Sequence, residues 1–137
     1  MKEKQSKRKY VENWLDINKK ILNIKAIERE IKVPENSIQR FTKDDIKIST
    51  RRISQIEKWM KRLLDYENED LLKFSYKFFN ISAIEREKDI SKGVIQKHNK
   101  YGRKLNKETL SKIENWQIKL LEPIKIREQL KKDINKP

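Results

Sequence analysis

At 137 residues, the chain has room for one ordinary domain or two very small ones. With 35% hydrophobic against 41% charged residues, any core must be thin. Two glycines and three prolines are too few for the turns of a sheet-rich fold, the lack of cysteine excludes disulfides and thiolate metal sites, and no apolar run approaches membrane-spanning length. A formal net charge of +14 with a pI near 9.9 favours polyanionic partners, nucleic acid ahead of an anionic membrane surface.

The chain opens on a basic tail, residues 1–9, with five positive side chains and one negative, expected to be disordered in isolation and available as an arm along phosphates. It is basic without the apolar stretch of a signal peptide. Residues 10–22 then place Tyr10, Trp14, Ile17 and Ile21 near one helical face. Asn23 is positioned as an N-cap for a helix striped by Ile24, Ile27 and Ile31. A break follows at Val33-Pro34, and proline suits the first turn of a new helix reaching about Thr42. After a polar loop at 43–49, a closing helix carries Ile53, Ile56, Trp59, Met60 and Leu63. Acidic residues 65–70 form the expected join.

The pattern then recurs. Leu71, Phe74 and Phe78 precede Asn80, a second N-cap; a break falls at Ile90-Ser91, with Ser91 as a cap; the next helix reaches about Asn99; Gly102 supplies a turn in the loop 100–106; and the closing helix carries Leu110, Ile113, Trp116 and Leu120. The recurrence is an internal repeat without gaps, offset by 57: residues 23–30, Asn-Ile-Lys-Ala-Ile-Glu-Arg-Glu, return at 80–87 as Asn-Ile-Ser-Ala-Ile-Glu-Arg-Glu. Aligning 23–64 with 80–121 gives 17 identities in 42 positions, only two of them lysine, so compositional bias does not produce the match. The chain therefore reads as all-α, two tandem helical bundles at 10–65 and 66–122, flanked by the basic tail and a C-terminal tail at 123–137.

The informative segments are the paired helices at 24–42 and 81–99. Ile27, Ile31, Val33 and Ile38 form a compact apolar set, repeated by Ile84, Ile90 and Ile95 with Lys88 in place of an isoleucine. Such a set leaves the outer face of each second helix free. That face is polar, with Glu35, Asn36, Gln39 and Arg40 in one copy and Lys92, Gly93, Gln96 and Lys97 in the other. Asn and Gln pair bidentately with adenine, while Arg and Lys favour guanine.

On residues 24–41 with the closing run from Lys47-Ile48-Ser49 to Trp59, and on 81–98 with the run from Gly102-Arg103-Lys104-Leu105-Asn106 to Trp116, each copy resembles the lambda-repressor-like helix-turn-helix family of phage repressors and Cro proteins. The resemblance spans about two-thirds of the chain. It implies two tandem helix-turn-helix units whose second helices read duplex DNA, with Asn36, Gln39, Arg40, Lys92, Gln96 and Lys97 facing bases and Lys43, Lys47, Lys100, Arg103 and Lys104 meeting phosphate. Two departures stand out. The family favours a small residue within the first helix and glycine in the turn; here Glu28 and Glu85 lie near the former, and Lys32 and Asp89 occupy the latter.

The functional expectation is a sequence-preferring double-stranded DNA-binding protein, a transcriptional regulator in the cytoplasm of a bacterial or phage-infected cell, without cofactor, metal or membrane. Linked units would set two reading helices about 34–36 Å apart on successive major-groove faces, the monomer acting as a pseudo-dimer or the chain as a homodimer. Unlike outer faces imply unlike half-sites. The alternative is a protein-interaction or phage assembly module on the same fold, favoured by any apolar patch at Phe74, Tyr76, Phe78 and Phe79 and by a protein partner for the first unit, where Glu35, Asp44 and Asp45 would repel phosphate. Single-stranded binding would need aromatics among the basic residues, and only Phe41 and Tyr101 come close. No catalytic set or phosphate-cradling loop is present, so no enzyme is expected. Trp59 and Trp116 are expected in the core, lone His98 on the surface or toward phosphate, and Glu28, Arg29 and Glu30 on the surface in helix pairs.

Overall fold

The computed structural model describes residues 2–66 and 76–134, and among these every regular element is helical, apart from one isolated antiparallel bridge. In chain order they are α1 (Lys2–Asn18), α2 (Ile24–Glu30), α3 (Gln39–Asp44), α4 (Thr50–Arg62), 3-10 turns at Leu63–Tyr66 and Tyr76–Phe78, α5 (Ile81–Glu87), α6 (Val94–Tyr101) and α7 (Lys107–Ile134). The all-α expectation is met. Capping chemistry sets the starts: Asn23 and Asn80 accept from the Ala26 and Ala83 amides at 3.3 and 3.2 Å, Ser49 from Arg52 at 3.4 Å, and Asn106 from Thr109 at 2.7 Å. No helix is long and apolar enough to cross a membrane among the described residues.

Several local expectations change. Residues 2–9 belong to α1; Lys7 reaches Glu57 at 3.8 Å and the Arg8 guanidinium donates to the Thr50 hydroxyl at 3.4 Å, which ties this basic stretch to the body of the protein. The inward stripe of α1 is Val11, Trp14 and Leu15, so Ile17, on the opposite side, is 79% exposed. Ile21 is buried because the chain leaves the helix after Asn18 and turns it inward, not through helical periodicity. Residues 123–134 form no tail. α7 continues through Pro123 because Leu121 and Ile124 stay on its buried side and Arg127 and Lys131 reach Glu57 at 3.3 and 3.2 Å, which offsets the backbone hydrogen bond that proline removes. Leu110, expected inside, is 43% exposed. Its counterpart Ile53 lies on α4, which packs against α1; of the repeat position of α1, at 59–75, residues 59–66 are the end of α4 and a 3-10 turn, and the rest lie outside the described residues, as do Leu71, Phe74 and most of the acidic join.

One core serves both copies. Trp14 packs edge-on against Trp59 (6.0 Å between centroids), Trp59 against Phe78 (5.4 Å) and Phe79 against Trp116 (5.3 Å), and the Trp14 indole donates to the Leu120 carbonyl at 3.1 Å. Trp59 and Trp116 are core residues, as expected. Phe78 and Phe79 are buried too, so they give no surface patch to the assembly reading; only Tyr76 of that group is exposed, and Phe74 lies outside the described residues. The copies also meet through backbone. Leu22 bridges Phe79, the Asn23 N–H donates to the Phe78 carbonyl at 2.8 Å, and the Asn80 N–H donates to the Ile21 carbonyl at 2.7 Å.

Candidate nucleic-acid interface

The start of α3 is held by a carboxylate from the preceding helix. Glu28 is 2% exposed; its Oε1 accepts the Asn36 N–H at 3.1 Å and its Oε2 accepts those of Ile38 and Gln39 at 2.7 and 3.1 Å. Glu85, equally buried, accepts from Gly93 at 3.0 Å and Ile95 at 2.8 Å. A helix start leaves its first amides without carbonyl partners and carries partial positive charge, so a buried carboxylate there is both hydrogen-bonded and electrostatically favoured. This corrects the surface placement of Glu28. The signal was present: position 28 follows Ile24 by four and Ile27 by one, on the same stripe that reaches Ile31.

Because Glu28 and Glu85 cap from a distance, Pro34 and Ser91 do not open the next helices. Residues 35–38 form turns, α3 starts at Gln39, and Gly93 stands at the start of α6. Among the described residues, the six left-handed ones fall into three pairs offset by 57: Lys32 and Asp89 (φ +59° and +54°), Asn36 and Gly93 (+72° and +84°), and Asp45 and Gly102 (+57° and +68°). The first pair occupies the turn position where glycine is customary in the resembled family, and the last closes α3 and α6 with left-handed caps.

Around this frame, Asn36, Arg40, Lys92, Gln96 and Lys97 are exposed and Gln39 is half-buried; Lys43, Lys47, Lys100, Arg103 and Lys104 are exposed. The Gln96 amide donates to the Ser82 hydroxyl at 3.3 Å, and Lys100 lies over the Tyr101 ring at 5.4 Å. His98 is half-buried, with Nδ1 2.7 Å from the Arg103 carbonyl, which fastens the loop after α6. Arg40, Lys43, Lys47, Lys92, Lys97, Arg103 and Lys104 make no ion pair within the described residues. The ion-paired cations lie elsewhere, for instance Lys7, Arg127 and Lys131 on Glu57, and Lys61 on Glu128. Burial alone would raise the Glu128 carboxyl, but hydrogen bonds and charge from Lys131 and Lys61 hold it below its ordinary value. Burial, with help from Glu57 and Glu128 and against Arg127, pushes the Tyr10 phenol well above its ordinary value.

The copies differ in charge. Residues 35–47 hold three basic and three acidic side chains, net zero, while 92–104 hold five basic and none acidic. Lys92, Tyr101 and Gly102 stand where the first copy has Glu35, Asp44 and Asp45.

Between them lies a groove of about 800 Å³ lined by Gln39 from α3 and Gln96 from α6 together with Lys25 and Lys43, with no carboxylate among the described lining residues. Leu22 and Phe79, paired across the bridge, also line it, beside Asn23 and Asn80. Sequence reasoning missed this groove, because it depends on how the copies face each other. No family model, curated protein or solved structure matches the chain.

Proposed function

We propose that the protein binds double-stranded DNA with sequence preference and acts as a transcriptional regulator, with α2–α3 and α5–α6 working as two helix-turn-helix units. The observation that supports this reading best is that Gln39 of α3 and Gln96 of α6 line one groove together with Lys25 and Lys43, cations that make no ion pair among the described residues. Gln39 and Gln96 have the donor–acceptor pair that suits adenine; Arg40 and Lys97 suit guanine. Lys100, Arg103 and Lys104 would meet phosphate beside α6, with Lys43 and Lys47 in the same role beside α3. The buried Glu28 and Glu85 favour the reading, since a reading helix must be held at a fixed angle to its scaffold.

The test is selection from a random-sequence duplex library by the wild type, by Gln39→Ala/Arg40→Ala and by Gln96→Ala/Lys97→Ala. A two-part motif, each half erased by one variant, is the expected result. Salt-sensitive binding that is uniform across sequences would reduce the charge to general affinity and overturn the reading. A second reading, contact with a protein partner, draws on the row Ile126, Leu130 and Ile134, more than half exposed at every fourth residue of α7. It predicts self-association or partner capture that Leu130→Glu abolishes without changing duplex binding.

A further inference from the structure

We infer that the two copies are related by an internal two-fold axis, and that the protein, as a single chain, recognises duplex DNA whose two unlike half-sites are inverted with respect to each other. The inference rests on the proposed DNA-binding reading and adds the arrangement of its target.

Tandem duplication by itself leads to no particular arrangement. Copies stacked head to tail would bury different surfaces, whereas copies related by a two-fold bury the same surface, and every contact between them returns with the roles exchanged. The backbone contacts here are of the second kind, while the side-chain ion pair Lys77–Glu30 has no counterpart between Lys20 and Glu87. Leu22 and Phe79, paired across the bridge, are the same repeat position. The bond from Asn23 N–H to the Phe78 carbonyl becomes, when 57 is added to the first number and subtracted from the second, the bond from Asn80 N–H to the Ile21 carbonyl; both are present, at 2.8 and 2.7 Å. The axis therefore passes through the bridge.

The groove lies on that axis. Equivalent positions of the two copies line it: Asn23 and Asn80, Lys25 and Ser82, and Gln39 and Gln96. Of the side chains expected to read bases, Gln39 and Gln96 thus share this groove, with Lys25 and Lys43 among its lining cations. The backbone of duplex DNA has its own two-fold axes perpendicular to the helix. A two-fold protein surface matches them when each unit reads its half-site along the opposite strand, which is an inverted repeat. Because Asn36 and Arg40 are replaced by Gly93 and Lys97, the inverted halves differ in sequence.

The experiment uses the full chain and synthetic duplexes built from the half-sites it selects, placed inverted, direct or everted at the same spacing, at one salt concentration. Affinity is read by fluorescence anisotropy and stoichiometry by sedimentation. The inverted duplex should bind about a hundredfold tighter than the other two, since only it engages both units at once, and should take one chain. Equal affinity for the direct arrangement, or two chains on the inverted duplex, would overturn the inference while leaving DNA binding intact. Failure to bind any duplex, even at low salt, overturns the DNA-binding reading and this inference with it.

Discussion

Removing the Glu28 or Glu85 carboxylate tests whether these side chains organise the paired helices or merely lie beneath them. Glu28 accepts three backbone amides and Glu85 two. A hydrogen bond to a charged group contributes roughly 1.5–3 kcal/mol. The amides of Asn36, Gln39 and Gly93 are only part-buried and regain water when the carboxylate is lost, so the buried amides of Ile38 and Ile95 bear most of the cost. Glu85→Ala should therefore destabilise by about 3 kcal/mol, with Glu28→Ala slightly more because it frees a third donor. Glu28→Gln, which keeps the shape and one acceptor but turns an NH₂ toward donors, should cost about half as much. Urea unfolding followed by circular dichroism would show the midpoint falling at constant m-value. Glu87→Ala, at an exposed position of the same repeated motif, is the control and should shift stability by less than about 0.5 kcal/mol. If Glu28→Ala behaved like Glu87→Ala, the buried-cap reasoning would be refuted.

Lys32→Gly and Asp89→Gly should each stabilise the protein by about 0.5–1 kcal/mol, since φ near +55° costs a side-chain-bearing residue more than glycine's extra unfolded-state freedom takes back; the thermal midpoint reads this. Glu128 carries a pH signature. Its folded-state pKa is depressed, so its contribution is complete above the ordinary value of 4.5 and is lost as pH falls through the folded value; Glu128→Gln should flatten the decline of the urea midpoint below that pH. Asp44→Asn should raise duplex affinity several-fold at low salt by removing one like charge beside the first copy's cations. Arg103→Ala/Lys104→Ala should make the log–log salt slope shallower by about 1.8 if both meet phosphate.

The sequence was most legible where a rule is local. Asn23, Asn80, Ser49 and Asn106 cap as their types predict, and the offset of 57 that aligns the letters also aligns the left-handed residues in three pairs. It was least legible where distant segments decide. Ile17 fits an apolar stripe but the partner surface selects Val11, Trp14 and Leu15, and nothing near Pro123 signals that Glu57, some seventy residues earlier, would hold the end of α7. The place of Glu28 on the apolar stripe was readable, but its role as a cap was not, since only the turn brings the amides of α3 over it. The groove is a further step removed, since its walls come from both copies.

The backbone agreement and the charge disagreement between the copies belong together. A two-fold made from identical chains binds each change twice, so a substitution that helps one half-site must be accepted at the other. Fusion into one chain removes that constraint wherever residues face outward, but not where they hold the frame. At several positions the repeat follows that pattern, although Ile53 and Met60 of the frame have become Leu110 and Gln117. Glu28 and Glu85, Ile38 and Ile95, and Trp59 and Trp116 are unchanged, while Glu35, Asp44 and Asp45 have become Lys92, Tyr101 and Gly102. Of these, Asp45 and Gly102 keep the same left-handed backbone, so the geometry is retained while a negative charge is gained or lost. With net charges of zero and +5 on corresponding stretches, the second copy would supply most of the salt-dependent attraction and the first would contribute chiefly through side chains that fit bases. Disabling the second copy should then weaken binding to every sequence, and disabling the first should mainly erase preference for its own half-site.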